Sequence, residues 1–431
     1  MSNNNQTSRR VLITGMGVIS CLGFNLKDYF QNLISGKSGI SKWNNMDSRC
    51  YSKIGGDLSD FDFNQYLQDY SQIFPQEMVQ RCKKLLRYTP YSGRITSCAV
   101  MQAFIDSGLH HEDFDGYDTG HIMAGHNINA RFIYNNVLTY AEEPEYIEPL
   151  YGLTALDTDV MAVSNEILNI HGTSYIVGGA CASGNLALMT AFDLIRSGRA
   201  ERVMVSAAAS DLDPVCLQGW AIFDALSYKS FNDQPEKASR PFDLLREGFA
   251  PAQGSAAVML ESDESAKQRD ARIYCELMSA SCNSDASRLA KPSKEGQARV
   301  IKEALDRAGV KPEAIDYVNA HATSTPIGDR KEVESIKQVF GQHAYDHLLV
   351  NSTKSMIGHC LLAASLMECV ATVMQMREGI IHPTINLDNP DPELDLDFVP
   401  HQARERKIDY ALSNSFGFGG INSAIVLKRE V

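Results

Sequence analysis

No stretch of this 431-residue sequence stays apolar for the roughly 20 residues that a bilayer-crossing helix needs, so a membrane-spanning protein is not expected. The polar opening MSNNNQTSRR lacks the apolar segment of a secretory signal, which makes the cytoplasm the expected location. No C-x-x-C pair occurs among the ten cysteines, which removes the usual zinc-ligand spacing, and no metal site is expected. Scattered thiols in a chain without an export signal are expected to be reduced, most of them small buried hydrophobes. Positive charge is also short. Lys and Arg total 40 against 53 Asp and Glu, a formal charge of −13. That field repels nucleic acid and anionic membrane, and an acidic partner would need a local basic patch. There is no low-complexity tract and no Pro/Gly/Ser linker, which with 44% hydrophobic residues predicts one compact unit, or two intimately packed halves.

What is present is a repeated local grammar. RRVLITGMGVIS predicts a strand followed by a glycine-containing turn, and LKDYFQNLISG and GRITSCAVMQAFIDSGL have helical spacing. SYIVGGACASGNLALMTAFDLIRSGRAERVMVSAA alternates strand, tight turn, apolar helix and strand. In the second part, IDYVNAHATSTPIGDRKEVESIKQVF and HLLVNSTKSMIGHCLLAASLMECVATVMQMREG run strand, small-residue turn, helix. The residues alone leave open whether this is a duplication or the ordinary grammar of an α/β protein.

Cys181 sits at the turn of the first such unit, with Gly178, Gly179 and Ala180 before it and Ala182, Ser183 and Gly184 after it. Small flanks permit a sharp turn and close approach of a substrate, and a helix starting there lowers a thiol's pKa. A buried structural cysteine is the plain alternative. His321 in NAHATSTPIGD, and Lys354 and His359 in NSTKSMIGHCLLA, also fall at predicted strand-to-helix turns. In an open α/β sheet such turns gather along one edge, where ligands bind. Satisfied core or cap histidines are the alternative there. LSNSFGFGGINSAIVLK predicts a hairpin, and without a following G-K-[ST] it does not predict a nucleotide loop.

GACASG, NAHATSTPIGD, NSTKSMIGH and NSFGFGGINSA, in that order, resemble the β-ketoacyl-acyl carrier protein synthases of the thiolase superfamily, in particular the elongating KAS II-like ketosynthases. The resemblance runs from RVLITGMGVIS to NSAIVLKRE. It implies a thiolase-like, duplicated five-layer α/β/α/β/α fold, with residues 1–265 carrying the nucleophilic cysteine and 266–431 the two histidines. It implies decarboxylative condensation of a Cys181-bound acyl group with malonyl-acyl carrier protein, in fatty-acid or in specialised polyketide or polyene synthesis. His321 and His359 would hold the malonyl thioester, and the backbone N–H groups of Cys181 and Phe418 would form the oxyanion hole. Phe418 would also gate the acyl chain. Lys354 would orient the histidine region and Glu332 would join that network, unless Glu332 is simply an exposed helix carboxylate. No cofactor is implied, since phosphopantetheine arrives on the carrier. A homodimer is implied, with a heterodimer beside a synthase-like chain left open.

Several positions depart from the family pattern. Ala322 replaces a glycine beside His321, which would be strained if that residue needs a positive φ. Leu362 and Ser365 stand where glycines are usual, and Asp224 where a basic residue is usual. The segments SYKSFNDQPEKASRPFD and NSDASRLAKPSKEGQ are also similar to the stand-alone proteins of polyketide β-branching cassettes, which decarboxylate malonyl carrier protein and typically carry serine at the nucleophile position. A malonyl-carrier decarboxylase and a non-catalytic chain-length-factor-like subunit are therefore the rival expectations, and the retained Cys181 speaks against both. Arg81, Lys83, Lys84 and Arg87, with Lys229, are the basic candidates for carrier docking. A solvated helix face is the alternative for them.

Overall fold

The computed structural model describes residues 9–288 and 291–430. Its main sheet has ten strands: β1 Val11–Ser20, β2 Thr119–Ala124, β3 Ser174–Val177, β4 Arg202–Ala207, β5 Gly254–Ser262, β6 Cys275–Ser284, β7 Tyr317–Asn319, β8 Leu349–Asn351, β9 Tyr410–Gly417 and β10 Ile421–Arg429. The order across the sheet is β8-β7-β9-β10-β6-β1-β5-β4-β2-β3. Cut between β6 and β1, this is one arrangement written twice: β3-β2-β4-β5-β1, and the same with five added to each number. In each set the three strands farthest from the cut run parallel and the remaining pairings are antiparallel. The seam between the sets is only Leu12 opposite Glu276 and Ile13 opposite Cys275.

Helices complete five layers. Ser183–Arg196 and Ala364–Glu378 lie between the two strand sets and touch strands of both, while Tyr91–Asp106 covers β1 and β5 on one outside and Lys294–Ala308 covers β6 and β10 on the other. Ala364 through Met376 are all buried. That explains why this segment reads apolar on every face: a helix between two sheets has no solvent side. The central core joins residues of both sets, among them Ile13, Val18, Leu188, Val258, Leu366, Val370 and Ile425.

Two sequence expectations need correction. RRVLITGMGVIS does not turn at its glycines, because β1 runs through Gly15 and Gly17. A Cβ there would stand 2.3 Å from the Ala103 carbonyl oxygen and 2.1 Å from that of Ala99, so the glycines let helix Tyr91–Asp106 press its backbone against the strand. The helix expected directly after NSTKS is broken. One turn, Lys354–Ile357, is followed by positive φ at Gly358 (72°) and Leu361 (52°), and the long helix starts only at Ala364. The break is what turns His359 toward Cys181. The C-terminal glycine-rich segment is a hairpin, as its pattern predicts, with β9 and β10 paired antiparallel and Gly419 and Gly420 at φ 85° and 75°.

Candidate active site

The turns after β3, β7, β8 and β9 meet at one edge of the sheet. Cys181 lies in the 3-10 turn Ala180–Ala182, just ahead of helix Ser183–Arg196, with Ala180 held at φ 49°. Gly417 at the end of β9 packs on this turn so closely that a Cβ would lie 2.6 Å from the Gly179 carbonyl oxygen. The ligand-type atoms of Cys181, His321 and His359 lie within 4.8 Å of one another, and all three residues are buried. They line a cavity of about 380 Å3 together with Phe249, Thr323, Thr325, Glu332 and Phe418.

Hydrogen bonds fix both imidazole tautomers. His359 Nδ1 accepts from the Leu361 N–H at 3.1 Å, so Nε2 carries the proton and points at Cys181 Sγ, 3.1 Å away. His321 Nδ1 faces the Lys354 ammonium at 3.3 Å, which likewise leaves its proton on Nε2. Burial, reinforced by the Lys354 charge, holds both imidazoles well below the usual histidine range. Two neutral N–H donors are therefore set beside the thiol. Burial pushes the Cys181 thiol up to about 11, opposed by the Lys354 charge and by the backbone N–H groups of Phe418 and Cys181, which face the sulfur. Those same N–H groups are placed to receive negative charge that develops on an oxygen at this point.

Behind the histidines lies a buried ionic layer. Lys354 also donates to the His321 carbonyl at 2.7 Å and to Glu368. Glu332 is not an exposed helix carboxylate. It is buried, and its two oxygens accept from the backbone N–H of His321 at 2.8 Å and of Ala322 at 2.7 Å. Desolvation pushes Glu332 up to about 7 despite these N–H groups, and does the same to Glu368 despite Lys354. Asp329 receives the Phe242 N–H at 3.0 Å and the Thr325 N–H at 3.3 Å, pinning the loop after His321. Glu368 and Asp329 escaped the sequence reading. Asp329 lies inside the motif itself, while the signal for Glu368 is an acid within the mostly apolar run Leu366–Met376, which demands a buried partner.

The departures resolve individually. Ala322 does not have a positive φ; the left-handed residue of this loop is Ser324, at 67°. Alanine is therefore unstrained there. Ser365 Oγ accepts the Asn185 N–H at 3.1 Å in the first turn of helix Ser183–Arg196. Leu362 joins an apolar cluster with Leu361, Phe249 and Ile128, and Trp220 packs against it. Phe418 is 42% exposed, at the cavity's rim. None of the basic docking candidates lines the cavity. Lys83, Lys84 and Arg87 are exposed and Arg81 donates to the Ile167 carbonyl at 3.2 Å, yet none lines the opening. Lys229 is paired at 2.7 Å with Asp224, which does line it.

Known proteins resemble the chain along nearly its whole length. Residues 8–266 match the Beta-ketoacyl synthase N-terminal domain, and residues 274–388 match the Beta-ketoacyl synthase C-terminal domain. The 3-oxoacyl-[acyl-carrier-protein] synthase 2 of Synechocystis sp. is 36% identical over 99% of each chain. A solved type II polyketide synthase acyl-carrier protein in complex with its ketosynthase is similar at 29% identity and TM-score 0.87, covering 98% of this chain and 100% of that one. A ketosynthase/chain length factor for ishigamide gives the same identity, TM-score and coverage. With a buried thiol, two imidazoles and the glycine hairpin in one cavity, and with sequence relatives along the whole length, the chain belongs to the β-ketoacyl synthase family.

Proposed function

We propose that this protein is a β-ketoacyl-acyl carrier protein synthase that performs decarboxylative condensation. The observation that carries the reading is the His359 Nε2–H facing the Cys181 sulfur at 3.1 Å, with a ring nitrogen of the neutral His321 within 4.8 Å of both. In the first half-reaction the Cys181 thiol loses its proton, the thiolate attacks the acyl thioester on the carrier, and the carrier's sulfur leaves and takes up one proton, so that none is gained or lost overall. In the second, the Nε2–H groups of His321 and His359 bind the thioester oxygen of malonyl carrier protein. As the C–C bond to the carboxylate breaks, CO2 leaves, and its electron pair becomes an enolate held by those donors. The enolate carbon attacks the Cys181 thioester, the N–H groups of Cys181 and Phe418 hold the resulting oxyanion, and the thiolate is expelled. Every donor is neutral and already in place, so developing negative charge meets fixed dipoles in a dry site.

The carrier supplies phosphopantetheine, so the enzyme holds no cofactor of its own. In this reading residues 1–265 provide the nucleophile and 266–431 the imidazoles, as one unit. All ten cysteines are free thiols, which suits a reducing compartment such as the cytoplasm. Among the described residues no helix is long and apolar enough to cross a membrane. A homodimer is part of the proposal. Among the described residues strand β3 is an edge of the sheet, and Tyr175 on it, with Val137, Leu138, Leu150, Leu153 and Leu156 of the preceding segment, are exposed apolar residues that a second copy would cover.

The test is intact-protein mass spectrometry after incubation with acyl carrier protein, followed by addition of malonyl carrier protein. One acyl adduct on Cys181, then a β-ketoacyl product, is expected. CO2 release from malonyl carrier protein with no adduct would replace condensation by the decarboxylase reading.

A further inference from the structure

The wall of the Cys181 cavity is not uniform. From the first half of the chain it takes the apolar Phe223, Ala225 and Phe249, and from the second half Asp285, Gln297 and Asn422. Gln297 and Asn422 are 1% and 2% exposed. Asn422 donates both amide hydrogens, to Asn283 Oδ1 at 3.0 Å and to Asp285 Oδ1 at 2.7 Å, so its own oxygen is left to accept. Asp285 also receives the Ser293 N–H at 3.1 Å. Gly296 permits this arrangement, since a Cβ there would stand 1.9 Å from Asp285 Oδ1. The start of helix Lys294–Ala308 is thereby pressed against Asp285, and the next residue along it is Gln297. Among the described residues the Gln297 amide oxygen has no hydrogen-bond partner. A buried amide left unmatched costs stability, and no step of the condensation uses it.

We infer that Gln297, beside Asn422 and Asp285, is a specificity-determining residue that binds a hydroxyl group carried on the acyl chain, so that the enzyme prefers hydroxylated acyl thioesters to saturated ones. The inference rests on the condensing-enzyme reading. A hydroxyl both donates and accepts, which suits a recess of acceptor oxygens with one amide N–H group. The Asp285 charge repels a carboxylate there. A saturated chain lies well on the apolar side of the cavity, but it expels water while leaving the Gln297 amide unpaired. An amide of the phosphopantetheine arm has the same hydrogen-bonding chemistry. The arm, however, runs from the rim at Phe418, 42% exposed, to the sulfur, whereas Gln297 is shut off from solvent.

The experiment follows acylation of Cys181 by intact-protein mass spectrometry, from the hexanoyl, 3-hydroxyhexanoyl and 5-hydroxyhexanoyl thioesters of N-acetylcysteamine, in wild type, Gln297→Leu and Gln297→Met. At least one hydroxylated donor is expected to exceed hexanoyl about tenfold in kcat/KM with wild type, and both variants are expected to bring that ratio within about twofold of unity. Their unfolding midpoints are expected at or above that of wild type, because each removes an unpaired buried amide. A wild-type ratio near unity overturns the inference, and so does a ratio that survives both substitutions. Equal slowing of all three donors also overturns it, by giving the amide to the phosphopantetheine arm. A ratio lost together with a lowered unfolding midpoint in both variants does the same, since a disturbed fold then accounts for the loss. Binding of the three thioesters to Cys181→Ala, read by calorimetry, separates the two levels. If that variant binds a hydroxylated thioester better than the hexanoyl one while wild type forms no adduct, the functional reading fails and the hydroxyl subsite stands. If wild type is acylated by all three at one rate and goes on to condense, the subsite fails and the functional reading stands.

Discussion

The turn after β7 and the turn after β2 hold the same place in the two strand sets, and each carries a histidine two residues beyond its strand: His321 after Asn319, and His126 after Ala124. His321 is buried, its backbone gripped by Glu332 and its ring by Lys354. His126 is exposed, lying against Gly178. The layouts agree and the chemistry does not. Strand order delivers both side chains to one sheet edge, but only the second half backs its histidine with buried ions that fix a tautomer and keep it neutral. A turn in the right place is a position, and the layer behind it makes that position a tool.

Breaking the reactive side of this contrast should have the largest effect. Cys181→Ala is expected to abolish the acyl adduct and reduce condensation by about 10⁴-fold or more, read by mass spectrometry and product formation. His321→Ala should cost about 10²- to 10³-fold in kcat, whereas His126→Ala should leave kcat within about twofold. Equal losses at the two histidines would erase the distinction drawn above.

The ionic layer can be tested for stability separately from activity. Glu368→Leu strands the Lys354 ammonium without its counter-ion and should cost about 3–5 kcal/mol in denaturant unfolding. Adding Lys354→Met should restore most of that stability while condensation stays impaired, because His321 has lost the donor that sets its tautomer.

Acylation should respond to pH in one direction. Because Cys181 is pushed up to about 11, its thiolate fraction grows about tenfold per pH unit below that value. Acylation kcat/KM should therefore climb from pH 7 to pH 9. His321 and His359, held below the usual histidine range, should remain neutral across that interval and add no second inflection. A fall in rate over the same range would contradict it. The smallest effect belongs to Ala322→Gly. With an ordinary φ but a buried methyl at this residue, glycine enlarges the freedom of the unfolded chain by about 0.4–1 kcal/mol and gives up the burial of one methyl, about 0.8 kcal/mol, and kcat should not change.

Much of this site was legible because its parts are local. The Cys181 turn, the His321 turn and the Gly417–Gly420 hairpin are each written in a few consecutive small residues whose backbone demands are specific. What stayed hidden depends on distance. Glu368 is fourteen residues from Lys354, across a break that no local pattern announces, and its role appears only when helix Ala364–Glu378 is buried between sheets. Gly15 and Gly17 read as a turn because a strand's need to accept a helix at backbone contact is set by Ala99 and Ala103, far along the chain. Ala322 looked strained because the motif does not say which of its residues takes the left-handed step.

The seam between β1 and β6 is two residue pairs long, so the strand ladder does little to hold the halves together. The work falls to the two inner helices, each wedged against the other half's strands. One of them begins just after the thiol, and the other follows the broken turn that aims His359 and carries Glu368. An incompletely assembled chain has a cysteine without its imidazoles and imidazoles without their ions. The reactive sulfur thus meets its imidazoles and their ions only where the two halves are packed together.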